Sequence, residues 1–126
     1  MTQLLWICLG GAVGTGARHL LSSWLSNVLG PSFPYGTLTV NVLGSFLVAI
    51  IVHASSEAAA FSPALRVVLV TGVMGGFTTY SAFSLQTLVY MQNGAWSSAA
   101  LYMLATVGGC LAACQLGWIC ARMLLS

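Results

Sequence analysis

The stretch Thr71-Gly72-Val73-Met74-Gly75-Gly76-Phe77-Thr78-Thr79-Tyr80-Ser81-Ala82-Phe83-Ser84 sits in the middle of an apolar segment and does not read as a plain helix. The Gly75-Gly76 pair gives little resistance to a change of backbone direction. It is followed by Thr78, Thr79, Tyr80 and Ser81, four hydroxyl residues in a row. Such a run predicts a break in the helix. Broken backbone at bilayer depth persists only where protein, water or an ion satisfies its polar groups, and half-helix ends of this kind serve as ion sites in transporters and channels. An ion or its pathway is therefore the inference. The plainer alternative is a continuous helix whose Thr and Ser hydroxyls bond back to preceding carbonyls.

The rest of the chain supplies the membrane setting. Of 126 residues, 59% are hydrophobic and 3% are charged, with a mean hydropathy of +0.98. A soluble domain carries roughly a quarter charged residues, whereas here the full set is Arg18, Glu57, Arg66 and Arg122. Three scattered arginines form no basic stripe for nucleic acid. One carboxylate makes no acid/base pair, and two histidines without a nearby acid offer no triad or conventional metal site. An enzyme is not expected.

A helix needs about 20 mostly apolar residues to cross the hydrocarbon core, and four segments qualify, at about residues 4–21, 36–54, 64–90 and 95–125. They fill the chain as a single transmembrane domain, 1–126, of all-α class. Ser62-Pro63 supplies a cap and a first-turn proline for the third span, and Met91-Gln92-Asn93-Gly94 closes it. The connection from Ser22 to Tyr35 holds Trp24, Phe33 and Tyr35, which suit the headgroup region, while Gly30-Pro31 and Pro34 stop a helix. No basic residue or small-residue cleavage site marks the first span as a signal peptide, so it is expected to be retained. Cys8, Cys110, Cys114 and Cys120 fall within spans without CxxC spacing and read as packing residues.

Lys and Arg near helix ends favour the cytoplasmic side. Four spans put Arg66 and Arg122 on the side of the N-terminus and Arg18 opposite, a bias of two against one. Such a bias favours both termini inside only weakly, and it admits a chain that inserts both ways up and pairs with an inverted copy of itself. A four-helix bundle fills its own centre with side chains, so a path is expected to need an oligomer. Gly10, Gly11, Gly14, Gly16 and Ala17 form a small-residue face that suits close packing within the subunit or across a dimer.

Other polar and aromatic groups mark candidate positions. Tyr80 and Phe83, three apart, are neighbours on one helical face. Their ring edges could replace part of an anion's hydration, whereas ring faces would favour a cation. Asn41 must find partners for a buried amide, as an interhelical clamp or along a wet cavity. Tyr102, Thr106, Cys110 and Cys114 recur every four residues and align on one stripe. They suit an anion track or a packing seam.

These motifs resemble a known family. The Gly14-x-x-x-Arg18 end of the first helix, Gly36-Thr37-Leu38-Thr39-Val40-Asn41 in the second, and Gly75-Gly76-Phe77-Thr78-Thr79-Tyr80-Ser81-Ala82-Phe83-Ser84 in the third look like the CrcB (Fluc) fluoride channels. The resemblance covers nearly the whole chain. It implies an antiparallel dual-topology homodimer in the cytoplasmic (inner) membrane, with two pores that export fluoride passively. Fluoride itself comes from the resemblance alone. So does a structural Na⁺ on the dimer axis, held by the backbone carbonyls of Gly75 and Thr78. By the same resemblance the pore aromatics are Tyr80 and Phe83, Asn41 and Ser81 line the path, Tyr102 and Thr106 belong to a polar track, and Arg18 stands at a vestibule. Gln86, one turn beyond Phe83, is a further candidate. The family usually has Phe at the position of Tyr80, Thr at that of Ala82, and often hydroxyl residues where Cys110 and Cys114 stand.

Two rival classes remain. A small proton-coupled multidrug antiporter has four spans and this length, but it needs a membrane carboxylate, and Glu57 lies in the connection between the second and third spans. A non-transporting assembly subunit would leave the third segment's pattern unexplained.

Overall fold

A computed structural model describes residues 1–57 and 59–125; Ala58, in the alanine run after Glu57, and Ser126, the end of the expected domain, lie outside the described residues. Among the described residues all regular elements are helical, and four helical stretches are long and apolar enough to cross a membrane: Thr2–Leu29, Tyr35–Ser56, Pro63–Gln92 and Trp96–Leu125. The chain is an all-α, multi-pass membrane protein.

Helix α1 (Thr2–Leu29) runs eight residues beyond the expected end of the first span. Residues 22–29 contain no proline or glycine, so nothing breaks the helix until Gly30 adopts φ 87°, a conformation that glycine accepts without strain. Its N–H donates to Ser26 O at 3.0 Å. Helix α2 (Tyr35–Ser56) follows Pro34 and ends with Glu57 at its C-cap.

The third span is composite. Ser62 caps α3 (Pro63–Val67), its Oγ accepting the Leu65 N–H at 3.2 Å, with Pro63 in the first turn. A π-helical stretch (Val68–Met74) and the short α4 (Gly75–Phe77) continue the path. Thr78 and Thr79 are extended, at φ/ψ −90°/158° and −149°/119°, and α5 (Tyr80–Gln92) begins directly after them. The Thr79 side chain caps α5 by accepting the Ala82 N–H at 3.2 Å. At the far end Gly94, φ 75°, makes a Schellman closure in which Ala95 N–H bonds Tyr90 O at 2.8 Å and Gly94 N–H bonds Met91 O at 3.0 Å. Helix α6 (Trp96–Leu125) completes the chain.

Packing follows the small residues. Helix α2 lies chiefly along α6, and α1 chiefly against the π-helical stretch and α4. At Gly14 an added Cβ would strike the Val73 carbonyl and lie 2.9 Å from Phe77 N. At Gly72 it would lie 2.7 Å from Ile7 O, and at Gly76 it would strike Gly11 O. The small-residue face of α1 is therefore used within the subunit, where it lets two backbones touch. Gly16 meets nothing within 4 Å. Large apolar side chains such as Leu20, Leu104, Leu111 and Leu124 point outward, as lipid-facing residues do.

Candidate functional site

The extended pair Thr78-Thr79 redirects the hydrogen bonds around it. In an unbroken helix each N–H bonds the carbonyl four residues earlier. Thr79 N–H, which would then bond Gly75 O, instead donates to Asn41 Oδ1 at 2.7 Å. Ala82 N–H, which would bond Thr78 O, donates to Thr79 Oγ1 instead. The carbonyls of Gly75 and Thr78 thus lose their helical donors to side-chain acceptors. Neighbouring carbonyls are served. Met74 O accepts both the N–H and the Oγ1 hydroxyl of Thr78 at 3.0 Å each, and Gly76 O accepts from Arg18 Nε at 2.9 Å. Two hard oxygen donors left in this way suit a hard cation.

Asn41 completes the opening by donating from Nδ2 to Thr79 O at 2.9 Å. Its amide is thus bound to both backbone groups of one residue on another element, the interhelical clamp among the alternatives read from the sequence. Thr78 fits the same crossing, its methyl group against Gly44.

A cleft of about 450 Å³ opens beside this segment, lined among others by Asn41, Gly75, Thr78, Thr79, Tyr80, Phe83, Thr106 and Cys110. Gly75 is exposed, and Tyr80 is 79% exposed, while Phe83 is buried. The two rings lie 5.6 Å apart at 70°, edge to face. Phe83 in turn meets Tyr102 at 5.1 Å and 62°, and Tyr102 meets Phe33 at 5.5 Å and 81°. Phe33, read from the sequence as a headgroup residue, belongs to this ring series. Thr106 is buried, and its hydroxyl makes no hydrogen bond among the described residues. Cys110 lines the same cleft and Cys114 an adjoining one; all four cysteines are free thiols. Ser81 is exposed, with its hydroxyl 3.3 Å from that of Thr79.

A polar chain leads away from the rings. The fully buried Tyr102 donates from its phenol to Gln86 Oε1 at 2.7 Å, and Gln86 Nε2 donates to Thr37 Oγ1 at 3.0 Å. Thr37 and Gln86 also line a second cleft of about 320 Å³ with Ser22, Ser23, Ser26 and Asn27. The serines and Asn27 lie on the part of α1 that the sequence marks as a connection, and the structure shows them on a helical face. A run of Ser and Asn at helical spacing was the available signal. Arg18 is half-buried and reaches Gly76 O from α1.

Four apolar helices, three of which border a cleft where Asn41, Thr78, Thr79, Thr106, Tyr80 and Phe83 lie among apolar side chains such as Val48, Val70 and Leu111, with the single acid Glu57 exposed at the end of α2, define a multi-pass membrane protein whose cleft holds no carboxylate among the described residues. Residues 5–118 match the family model described as CrcB-like protein, Camphor Resistance (CrcB), and the chain belongs to that family. It is 53% identical over 124 residues, covering 98% of each chain, to the fluoride-specific ion channel FluC of Anaeromyxobacter dehalogenans (strain 2CP-1 / ATCC BAA-258). The proteins of the same name from Chelativorans sp. (strain BNC1) and Sorangium cellulosum (strain So ce56) are each 45% identical over nearly their full length.

Proposed function

We propose that this chain is a fluoride channel of the cytoplasmic membrane, giving passive export of the anion and resistance to its toxicity. The observation that carries this reading is the full-length similarity to proteins named fluoride-specific ion channels, at up to 53% identity. In an acidic medium fluoride enters a cell as neutral HF and dissociates at the higher internal pH, so a selective leak lets the membrane potential drive the anion out. Among the described residues that line the cleft none is charged to trap it. The path runs past Asn41, Tyr80, Ser81 and Phe83 and along Tyr102 and Thr106, with hydroxyl donors and ring edges replacing water around the ion. Thr106 is a favoured donor because its hydroxyl has no other partner among the described residues. Arg18 raises the local positive potential at a vestibule.

The working unit is an antiparallel dual-topology homodimer, with the third span acting as a broken helix and two pores at the interface. The two-against-one arginine bias supports this, as does the exposure of Tyr80 and Gly75 on the surface of a single subunit. The carbonyls of Gly75 and Thr78, which the redirected bonds of Thr79 and Ala82 leave without their helical donors, would hold a structural Na⁺ between the two copies. When bound, the cation ties the two copies together and offsets part of the cost of moving an anion through low dielectric. Fluoride release from liposomes carrying the purified chain, beside a chloride control, tests the function. Labelling of a terminal cysteine from both sides of the membrane is expected for dual topology, and one-sided labelling would exclude it.

A further inference from the structure

The Asn41 amide has one pose at this crossing. Its oxygen faces the Thr79 N–H and its nitrogen faces the Thr79 carbonyl, at 2.7 and 2.9 Å. A flipped amide would set donor against donor and acceptor against acceptor. Asn41 is buried on α2, 38 residues away in sequence, so the pairing is a tertiary feature rather than a local turn. Both polar ends of the side chain are engaged by backbone.

We propose that Asn41 is a positioning residue for the cation site, acting through Thr79. By accepting the Thr79 N–H it withholds that donor from Gly75 O, and by donating to Thr79 O it keeps the residue extended. The extended Thr79 then places its hydroxyl on the Ala82 N–H, which withholds the second donor from Thr78 O. One side chain on α2 thereby keeps open both carbonyls assigned to Na⁺. This goes beyond the pore-lining role given to Asn41 above: both ends of its amide are directed at the backbone of Thr79. The inference rests on the Na⁺ reading of the proposed function.

The test uses the full-length dimer in detergent with NaCl or N-methyl-D-glucamine chloride, reading the exchange rate of the Thr79 amide and the Na⁺ dependence of the melting temperature. In Asn41→Ala the Thr79 amide is expected to exchange roughly tenfold faster, the equivalent of one lost hydrogen bond, and the Na⁺-dependent shift in melting temperature is expected to disappear while helical content is retained. Asn41→Asp keeps an acceptor for the Thr79 N–H but loses the donor to Thr79 O, so it is expected to slow Thr79 exchange relative to Asn41→Ala while restoring the Na⁺ response only in part, a split that general loosening of the bundle would not produce. Unchanged Thr79 exchange in Asn41→Ala, or an undiminished Na⁺ response in that variant, would overturn the inference alone. A wild-type dimer indifferent to Na⁺ would overturn the cation reading and this inference with it. Fluoride flux is measured separately, so its presence or absence judges the channel reading independently.

Discussion

The phenol of Tyr102 on α6 donates a 2.7 Å hydrogen bond to Gln86 Oε1 on α5, and Gln86 passes the connection to Thr37 on α2. Three spans are thus joined by a neutral polar chain that begins at a ring packed against Phe83. Replacing Tyr102 by Phe keeps the ring contacts and strands the amide oxygen of Gln86. A stability loss of about 1 kcal/mol is expected for such an interhelical bond. Fluoride efflux is expected to fall clearly more than that of a Tyr90→Phe control, because the Tyr90 hydroxyl bonds Ser32 O, outside this chain. Equal flux in the two variants would remove Tyr102 from the pathway.

The ring pair at the cleft separates stability from conduction. Tyr80 is 79% exposed in the subunit, so Tyr80→Leu should change subunit stability by no more than about 0.5 kcal/mol. Fluoride efflux should nevertheless drop strongly, and Tyr80→Phe should retain it, since a phenyl ring keeps the edge. Phe83 is buried between Tyr80 and Tyr102, and Phe83→Ala should cost about 3 to 5 kcal/mol. Thermal melts and liposome flux on the same preparations check both statements.

Glycine positions on α1 make a sharp structural comparison. In Gly14→Ala the new methyl meets the Val73 carbonyl, a rigid neighbour, so a loss of about 1 to 3 kcal/mol is expected. Gly16→Ala meets nothing within 4 Å in the subunit and should be neutral or slightly stabilising. A melting temperature that moves equally in both would contradict the close approach of α1 to the third span.

Arg18 gives a test of charge against hydrogen bonding. Its Nε serves Gly76 O, so Arg18→Gln should lower thermal stability as well as flux. A loss of flux with no change in stability would mean that only the charge matters.

Much of this molecule was readable in its sequence, for identifiable reasons. Length and apolarity dictated four spanning helices, and the Ser62-Pro63 and Asn93-Gly94 punctuation acts locally, so it could be read without the fold. Apolarity ends the first span at Leu21 and the headgroup-type aromatics mark a connection from Ser22, yet without proline or glycine before Gly30 the helix continues through Ser22, Ser23, Ser26 and Asn27 as a polar face. The π-helical stretch at Val68–Met74 left no composition signal. Asn41 plainly needed partners, but their identity depended on how α2 crosses Thr79, which no spacing encodes. The same holds for Gln86, whose partners Thr37 and Tyr102 lie on two other spans, and for Phe33, whose place against Tyr102 is set by tertiary packing.

Passive fluoride conduction is tested most directly in liposomes loaded with potassium fluoride, carrying the purified chain and diluted into low-potassium buffer. A fluoride electrode reads the release after valinomycin sets the voltage. A channel of this kind releases fluoride rapidly once the potential is clamped, without an imposed proton gradient, while parallel vesicles loaded with chloride retain it. Fluoride retained to the level of protein-free vesicles, or released only when a proton gradient drives it, would contradict the proposed function.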